Sequence, residues 1–202
     1  MSMRIIGGRL GGRHIKVMEA AGLRPATGRV REALFSMLAA REALPSGARV
    51  LDLFAGAGSV GIEAVSRGAG SALFVEKNPA VARMLRDNLQ SLGLGPDEAR
   101  VLEADVAKAL PRLSGRSFDL VAVDPPYGQG LLPPTLAGIL ANGLLAPGGV
   151  IAAEIEATAV LQAGDVPDAL HCLVDRAYGQ TRILLWTRSD TASPSTPEPS
   201  IP

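Results

Sequence analysis

The chain has 202 residues, 47% of them apolar and 20% charged, which is enough apolar material for one well-packed domain with a small appendage. No apolar run approaches the roughly 18 residues of a membrane span, and none forms the core of a secretion signal, so a cytoplasmic protein without a membrane anchor is expected. Formal net charge is zero but unevenly spread: eight basic residues up to Arg41 (Arg4, Arg9, Arg13, Lys16, Arg24, Arg29, Arg31 and Arg41) face only Glu19 and Glu32, so the remainder is acidic by six. A basic arm on an acidic body suits a polyanionic partner, with an ordinary solvated surface as the plainer reading.

The run MRIIGGRLGGRHIKV has two short apolar stretches around a glycine-rich bend and is expected to form a small β-hairpin with arginines at the bend. A helix is expected from about Gly28 to Ala40, where Val30, Leu34, Met37 and Leu38 recur at helical spacing. Arg29 and Arg31 fall in its first turn, where cations oppose the helix dipole and point to an external anion such as phosphate. From Arg49 strands and helices alternate: strands at 49–53, 71–76, 100–104, 119–123 and 149–154, helices near 59–67, 79–92, 105–112 and 131–142. Continuous apolar runs such as VLDLF and DLVAVD suit parallel strands covered on both faces, hence an open α/β sheet. Two later apolar runs, 170–177 and 181–187, flank a Tyr178-Gly179-Gln180 turn and read as an antiparallel edge hairpin. Cys172, the one cysteine, lies in the first of these and is expected to be buried. With two histidines, His14 and His171, far from each other in sequence, no metal site is expected. The expected segments are a hairpin extension over 1–27, a main domain over 28–188, and a disordered Ser/Thr/Pro-rich tail over 189–202.

After the strand at 49–53, Gly56, Gly58 and Gly61 have the GxGxxG spacing of a strand-to-helix turn that admits a nucleoside ligand, although a tight turn without ligand uses the same residues. Asp52 beside this turn would repel a pyrophosphate and suits a cationic cofactor such as S-adenosylmethionine. Glu76, twenty residues beyond Gly56, is placed to accept from ribose hydroxyls. Asp105 either accepts from an adenine amino group, with a neighbouring backbone N–H on the ring, or caps the helix that follows.

The strand at 119–123 runs into Asp124-Pro125-Pro126-Tyr127. Two prolines stiffen the turn and remove two backbone donors, leaving a carboxylate, fixed carbonyls and an aromatic face. An exocyclic amino group on a base is a poor nucleophile because its lone pair is delocalised. Acceptors at Asp124 and the Pro125 carbonyl could hold its hydrogens and aim the lone pair at a methyl donor while Tyr127 stacks on the base.

Together LDLFAGAGSVGIEAVSRGA, FVEKN and VDPPY resemble the amino-group nucleic-acid methyltransferases, and RIIGGRLGGRHIKV with GLRPATGRVREALFSML is similar to the N-terminal region of the RsmD family. The resemblance runs from about Met3 to Arg188. It implies a Rossmann-like class I S-adenosylmethionine-dependent methyltransferase fold: a mostly parallel twisted seven-stranded α/β sheet with an antiparallel edge hairpin. It further implies methylation of a guanine N2 in small-subunit (16S) ribosomal RNA, on that RNA or on an assembling subunit. A monomer is expected because nothing in the sequence resembles a coiled-coil seam or another assembly element. The site residues it implies are Asp124, Pro125, Pro126 and Tyr127 for catalysis, and Asp52, Phe54, Gly56, Gly58, Glu76, Lys77, Asp105, Val106 and Asp124 for the cofactor. Arg4, Arg9, Arg13, Arg24, Thr27, Arg29 and Arg31 would contact RNA. The chain departs from the family's pattern at Ala26, Gly28 and Asn78. Three other readings compete: a DNA adenine or cytosine amino-methyltransferase, an NAD(P)-binding oxidoreductase, and a non-catalytic RNA-binding assembly factor. The chain shows no segment able to read a duplex sequence, and neither Asp52 nor the Pro-Pro turn has a place in the dinucleotide reading.

Overall fold

A computed structural model describes residues 1–18 and 28–188. In chain order the described elements are β1 (Ser2–Arg4), β2 (His14–Lys16), α1 (Gly28–Ala39), β3 (Arg49–Leu53), α2 (Ser59–Ser66), β4 (Ser71–Glu76), α3 (Pro79–Ser91) and β5 (Ala99–Glu103). There follow α4 (Val106–Arg112), β6 (Phe118–Val123), α5 (Leu132–Ala141), β7 (Leu145–Glu156), β8 (Leu170–Tyr178) and β9 (Thr181–Arg188). Strands β1 and β2 form an antiparallel pair, and the other seven make one sheet in the order β5-β4-β3-β6-β7-β9-β8. The first five of these run parallel, while β9 pairs antiparallel with both β7 and β8.

The apolar strand runs are buried on both faces, as parallel strands between helical layers must be. On one face Val50, Leu120, Ala122, Val150 and Ala152 pack with residues of α1, α2 and α3. On the other, Leu51, Leu53, Val121, Val123 and Ile151 pack with α4 and α5. Each fully buried leucine or isoleucine in these layers is worth roughly 1.5–3 kcal/mol relative to exposure.

The N-terminal hairpin is a layer of the same core. Ile5, Leu10 and Ile15 are buried within the first cluster. Polar anchoring fixes the hairpin's position: Glu63 of α2 accepts from the backbone N–H groups of Ile6 and Gly7, each at 2.8 Å, and Ser66 Oγ accepts from Leu10 N–H at 2.9 Å. Gly8 has φ +73°, and a Cβ there would lie 1.8 Å from the Ser66 carbonyl oxygen, so only glycine allows this close approach. Arg13 donates to the carbonyls of Leu92 and Ser91, satisfying groups left open at the end of α3. Arg9 pairs with Glu98.

Two expectations need correction. Strand β7 begins at Leu145 rather than Gly149, because Leu145 pairs with Phe118 while Val150 pairs with Leu120, and the intervening Ala146-Pro147-Gly148-Gly149 is accommodated as a bulge. Cys172 is exposed, not buried: the register shifts between Cys172 and Val174 on edge strand β8, which turns His171 and Cys172 outward in succession. Arg24, Thr27 and the tail 189–202 lie outside the described residues. Among the described residues no helix is long and apolar enough to cross a membrane.

Candidate active site

Strand β3 is flanked by β4 on one side and β6 on the other, so the chain's winding reverses beside it and a crevice opens at the strands' carboxyl ends. Both motifs singled out in the sequence empty into this crevice. At the end of β3 the backbone turns sharply through Phe54 (φ 60°), Gly56 (φ 54°) and Gly58 (φ 81°) before α2 begins. A non-glycine residue in the left-handed region is strained, and such strain collects at ligand sites. Gly58 is required twice, by its φ and because a Cβ would lie 2.4 Å from Leu85 Cδ1. Gly61 is required for packing: a Cβ there would lie 2.4 Å from Phe74 Cε1 and 3.1 Å from Asp52 Oδ2. Gly56 differs, since nothing within 4 Å of its would-be Cβ except the Phe54 carbonyl bounds it, so this part of the loop faces open space.

The acids predicted from sequence gather here, along with one that was not. Asp52 and Ala122 are register partners, as are Asp52 and Phe74, and Ala122 pairs with Ala152. Counting on by two puts Glu76, Asp124 and Glu154 on the same sheet face as Asp52. Asp52 is 3% exposed and accepts from Gly61 N–H at 2.8 Å, so it braces the loop from below instead of lining its open side. Burial pushes its carboxyl up to about 8 against that hydrogen bond, with Asp124 and Glu76 adding like charge. Asp124 is half-buried, and loss of solvent raises its carboxyl too. Glu76 accepts from Gly56 N–H at 3.0 Å and from Asn78 N–H at 2.7 Å, tying the glycine loop to the end of β4.

Asp105 caps α4, accepting from Ala107 N–H at 3.0 Å, and stays exposed beside buried Val106. Asn78 caps α3 through Ala80 N–H at 2.9 Å, with Pro79 following it, which gives the Asn-Pro pair a local reason. Lys77 is exposed at the crevice rim. In the turn after β6, Pro125 is buried, Pro126 is half-buried, and Tyr127 is 43% exposed with its hydroxyl 3.3 Å from Thr181 Oγ1. Tyr127, Gly128, Leu132, Ile155 and Glu156 border a cavity of about 150 Å³.

The arginines divide. Arg4 and Arg29 are exposed and, with Met3 and Glu32, border a cavity of about 590 Å³ between the hairpin and α1. Arg9 and Arg13 spend their guanidinium groups on holding the hairpin to the body, as described above. Arg31 is the correction among the predicted RNA contacts: it is 2% exposed, donates to the Arg4 carbonyl and Met3 Sδ, and lies 3.9 Å from Glu63. Its place in the helix first turn is explained by these internal partners, which leave its charge turned inward. Sequence reasoning missed Glu154 and Glu63; an acid inside the apolar strand run VIAAEIE was the available signal for the first.

A family model described as conserved hypothetical protein 95 matches residues 3–187. The ribosomal RNA small subunit methyltransferase D of Escherichia coli K12 is 38% identical over 186 residues, spanning 92% of this chain and 90% of that protein. The chain belongs to the RsmD family. The RsmD protein of Haemophilus influenzae is 36% identical over 157 residues, spanning 76% of this chain and 79% of its own. The solved yhhF protein of Escherichia coli superposes with a TM-score of 0.82 at 38% identity, covering 93% of this chain and 98% of that one. The RsmD-family sheet found here, parallel with an antiparallel β9 beside β7, is the Rossmann-like arrangement of class I methyltransferases, as the sequence led us to expect.

Proposed function

We propose that this protein transfers a methyl group from S-adenosylmethionine to the N2 amino group of a guanine in small-subunit ribosomal RNA. The observation that carries the reading is the meeting, at one switch-point crevice, of the strained glycine loop after β3 and the Asp124-Pro125-Pro126-Tyr127 turn after β6. Membership in the RsmD family supports it.

The crevice fits a cationic nucleoside cofactor. Asp52, Asp124 and Glu76 are buried or half-buried acids, and Asp124 and Glu76 add like charge at Asp52. Such a surplus of negative charge favours a ligand bearing positive charge and disfavours a pyrophosphate. When bound, the cofactor supplies the electrophilic methyl. Gly56 offers a backbone surface without a side chain to block approach, Glu76 stands at the position of a ribose acceptor, and Asp105 with the Val106 backbone stands at that of an adenine edge. Lys77 and Phe54 complete that side of the crevice.

Asp124 and the Pro125 carbonyl accept from the two amino hydrogens and turn the nitrogen lone pair toward the methyl carbon. Pro126 keeps the turn rigid, and Tyr127 stacks on the base. Asp124 takes a proton late, after carbon–nitrogen bond formation has made it acidic. Residues 1–27 provide the RNA-contact extension, with Arg4 as an exposed cation whose side chain, among the described residues, has no part in anchoring the hairpin and Arg29 adjoining it on α1, and residues 28–188 form the transferase. The protein works as a monomer in the cytoplasm on RNA or on an assembling subunit.

The test is transfer of labelled methyl from S-adenosylmethionine to total RNA and to small subunits from cells lacking this protein, followed by nucleoside analysis. Label in N2-methylguanosine is expected, and Asp124→Ala should lower turnover by at least about 100-fold at saturating RNA and cofactor. Label in DNA adenine or cytosine would reassign the substrate. RNA binding without methyl transfer would leave an assembly factor.

A further inference from the structure

Glu154 is an acid in the middle of a strand whose neighbours Ala152, Ala153 and Ile155 are all buried apolar residues. It is 5% exposed, and its Oε1 accepts no hydrogen bond. Ionised and unpaired, such a group is costly; packing alone would place an apolar residue there. Its surroundings give it a role. Strands β6 and β7 are parallel and their register ends with Val123 paired to Ala153, so Asp124 and Glu154 directly follow that last pair on neighbouring segments and the same sheet face, close enough for Asp124 to act electrostatically on Glu154.

Among the described residues, the charged and titratable groups that act on Glu154 are Asp124 just after β6, Asp52 from β3, Arg31 from α1 and Tyr127 from the turn after β6. Arg31 alone among them favours the carboxylate, and it is shared with Glu63 and the Arg4 carbonyl. Burial and the two aspartates favour the protonated form, so the Asp124–Glu154 pair holds a proton where isolated carboxyls would hold none.

We propose that Glu154 is a positioning residue for methyl transfer: in its protonated form it donates to one oxygen of Asp124 and leaves the other ionised and aimed at the target amino group. The inference rests on the role given to Asp124 above. In the step it serves, the nitrogen lone pair bonds to the methyl carbon, the carbon–sulfur bond breaks with its electron pair left on sulfur, and one amino proton passes to Asp124. Glu154 keeps its own proton throughout. When Glu154 ionises, its donation ends and two adjacent anions push Asp124 out of line, so turnover falls on the alkaline side.

The test compares wild type with Glu154→Gln and Glu154→Ala in steady-state RNA methylation between about pH 6 and 9.5, with thermal melts alongside. Wild type should lose kcat above neutrality. Glu154→Gln retains an N–H donor that does not titrate, so it should keep kcat within about threefold at pH 7 and lose the alkaline fall. Glu154→Ala should lower kcat at pH 7 about 10-fold or more with KM for RNA and cofactor nearly unchanged. An alkaline fall that survives in Glu154→Gln, a wild-type profile flat above neutrality, or full kcat in Glu154→Ala would each overturn the inference. If Glu154→Ala fails to fold, the Glu154→Gln profile decides alone. A wild-type enzyme that puts no methyl on guanine N2 would instead remove the functional reading beneath it.

Discussion

Asn88 of α3 holds the backbone of Lys16 from both sides, its Oδ1 accepting from Lys16 N–H at 2.8 Å and its Nδ2 donating to the Lys16 carbonyl at 2.9 Å. An asparagine side chain used this way acts as one more rung beside β2. Because Asn88 is 1% exposed, water cannot replace it when it is removed. Asn88→Ala should therefore cost about 1–3 kcal/mol, read as a lowered urea midpoint. Asn88→Asp keeps the acceptor but sets a carboxylate against the Lys16 carbonyl, and should cost at least as much. Wild-type midpoints in both variants would show that the hairpin is not anchored here.

The glycines separate by what surrounds them. Gly61→Ala drives a methyl into Phe74 and toward Asp52 Oδ2, at the contact that seats α2 on the sheet, so stability should fall by roughly 1–3 kcal/mol. Gly8→Ala meets rigid backbone at Ser66 and should lift the hairpin, weakening RNA binding while cofactor affinity holds. Isothermal titration with S-adenosylhomocysteine, paired with RNA binding, distinguishes the two. Intact RNA affinity in Gly8→Ala would separate the hairpin from RNA recognition.

Stability should decline with rising pH before cofactor is added. Burial raises the Asp52 carboxyl from 3.8 to about 8, so the folded state binds its proton more tightly than the unfolded chain does. The contribution is fully present below about pH 4 and is lost as pH rises through about 8. Asp52→Asn should flatten the fall measured by urea unfolding between about pH 5 and 8.5. Cofactor affinity should climb over the same interval, because ionised acids suit a cation. An Asp52→Asn slope equal to wild type would mean that this carboxyl is not the group responsible.

Replacing Arg4 and Arg29 with alanine should weaken RNA binding and make its dependence on salt shallower, with melting temperature within a degree or two of wild type. Arg9→Ala with Arg13→Ala should also lower the melting temperature, since those side chains pair with Glu98 and with the carbonyls of Ser91 and Leu92. An unchanged salt slope in the Arg4 and Arg29 variant would remove these residues from the RNA surface.

The sequence by itself determined the alternation of elements, the edge hairpin, and the two loops on which the proposed chemistry turns. Those features are local: apolar period, glycine at positive φ, proline stiffness and helix caps are written within a few residues of where they act. Only the tertiary structure decided where charged side chains point. Arg31 reads as a surface cation until the Arg4 carbonyl and Glu63 are seen to enclose it, and Cys172 reads as buried until a bulge in β8 turns it outward. Glu154 gained meaning only when parallel pairing set it beside Asp124, thirty residues away in the chain. Such pairings depend on strand register and on which helix covers which face, and they are fixed by the packing of segments distant in sequence.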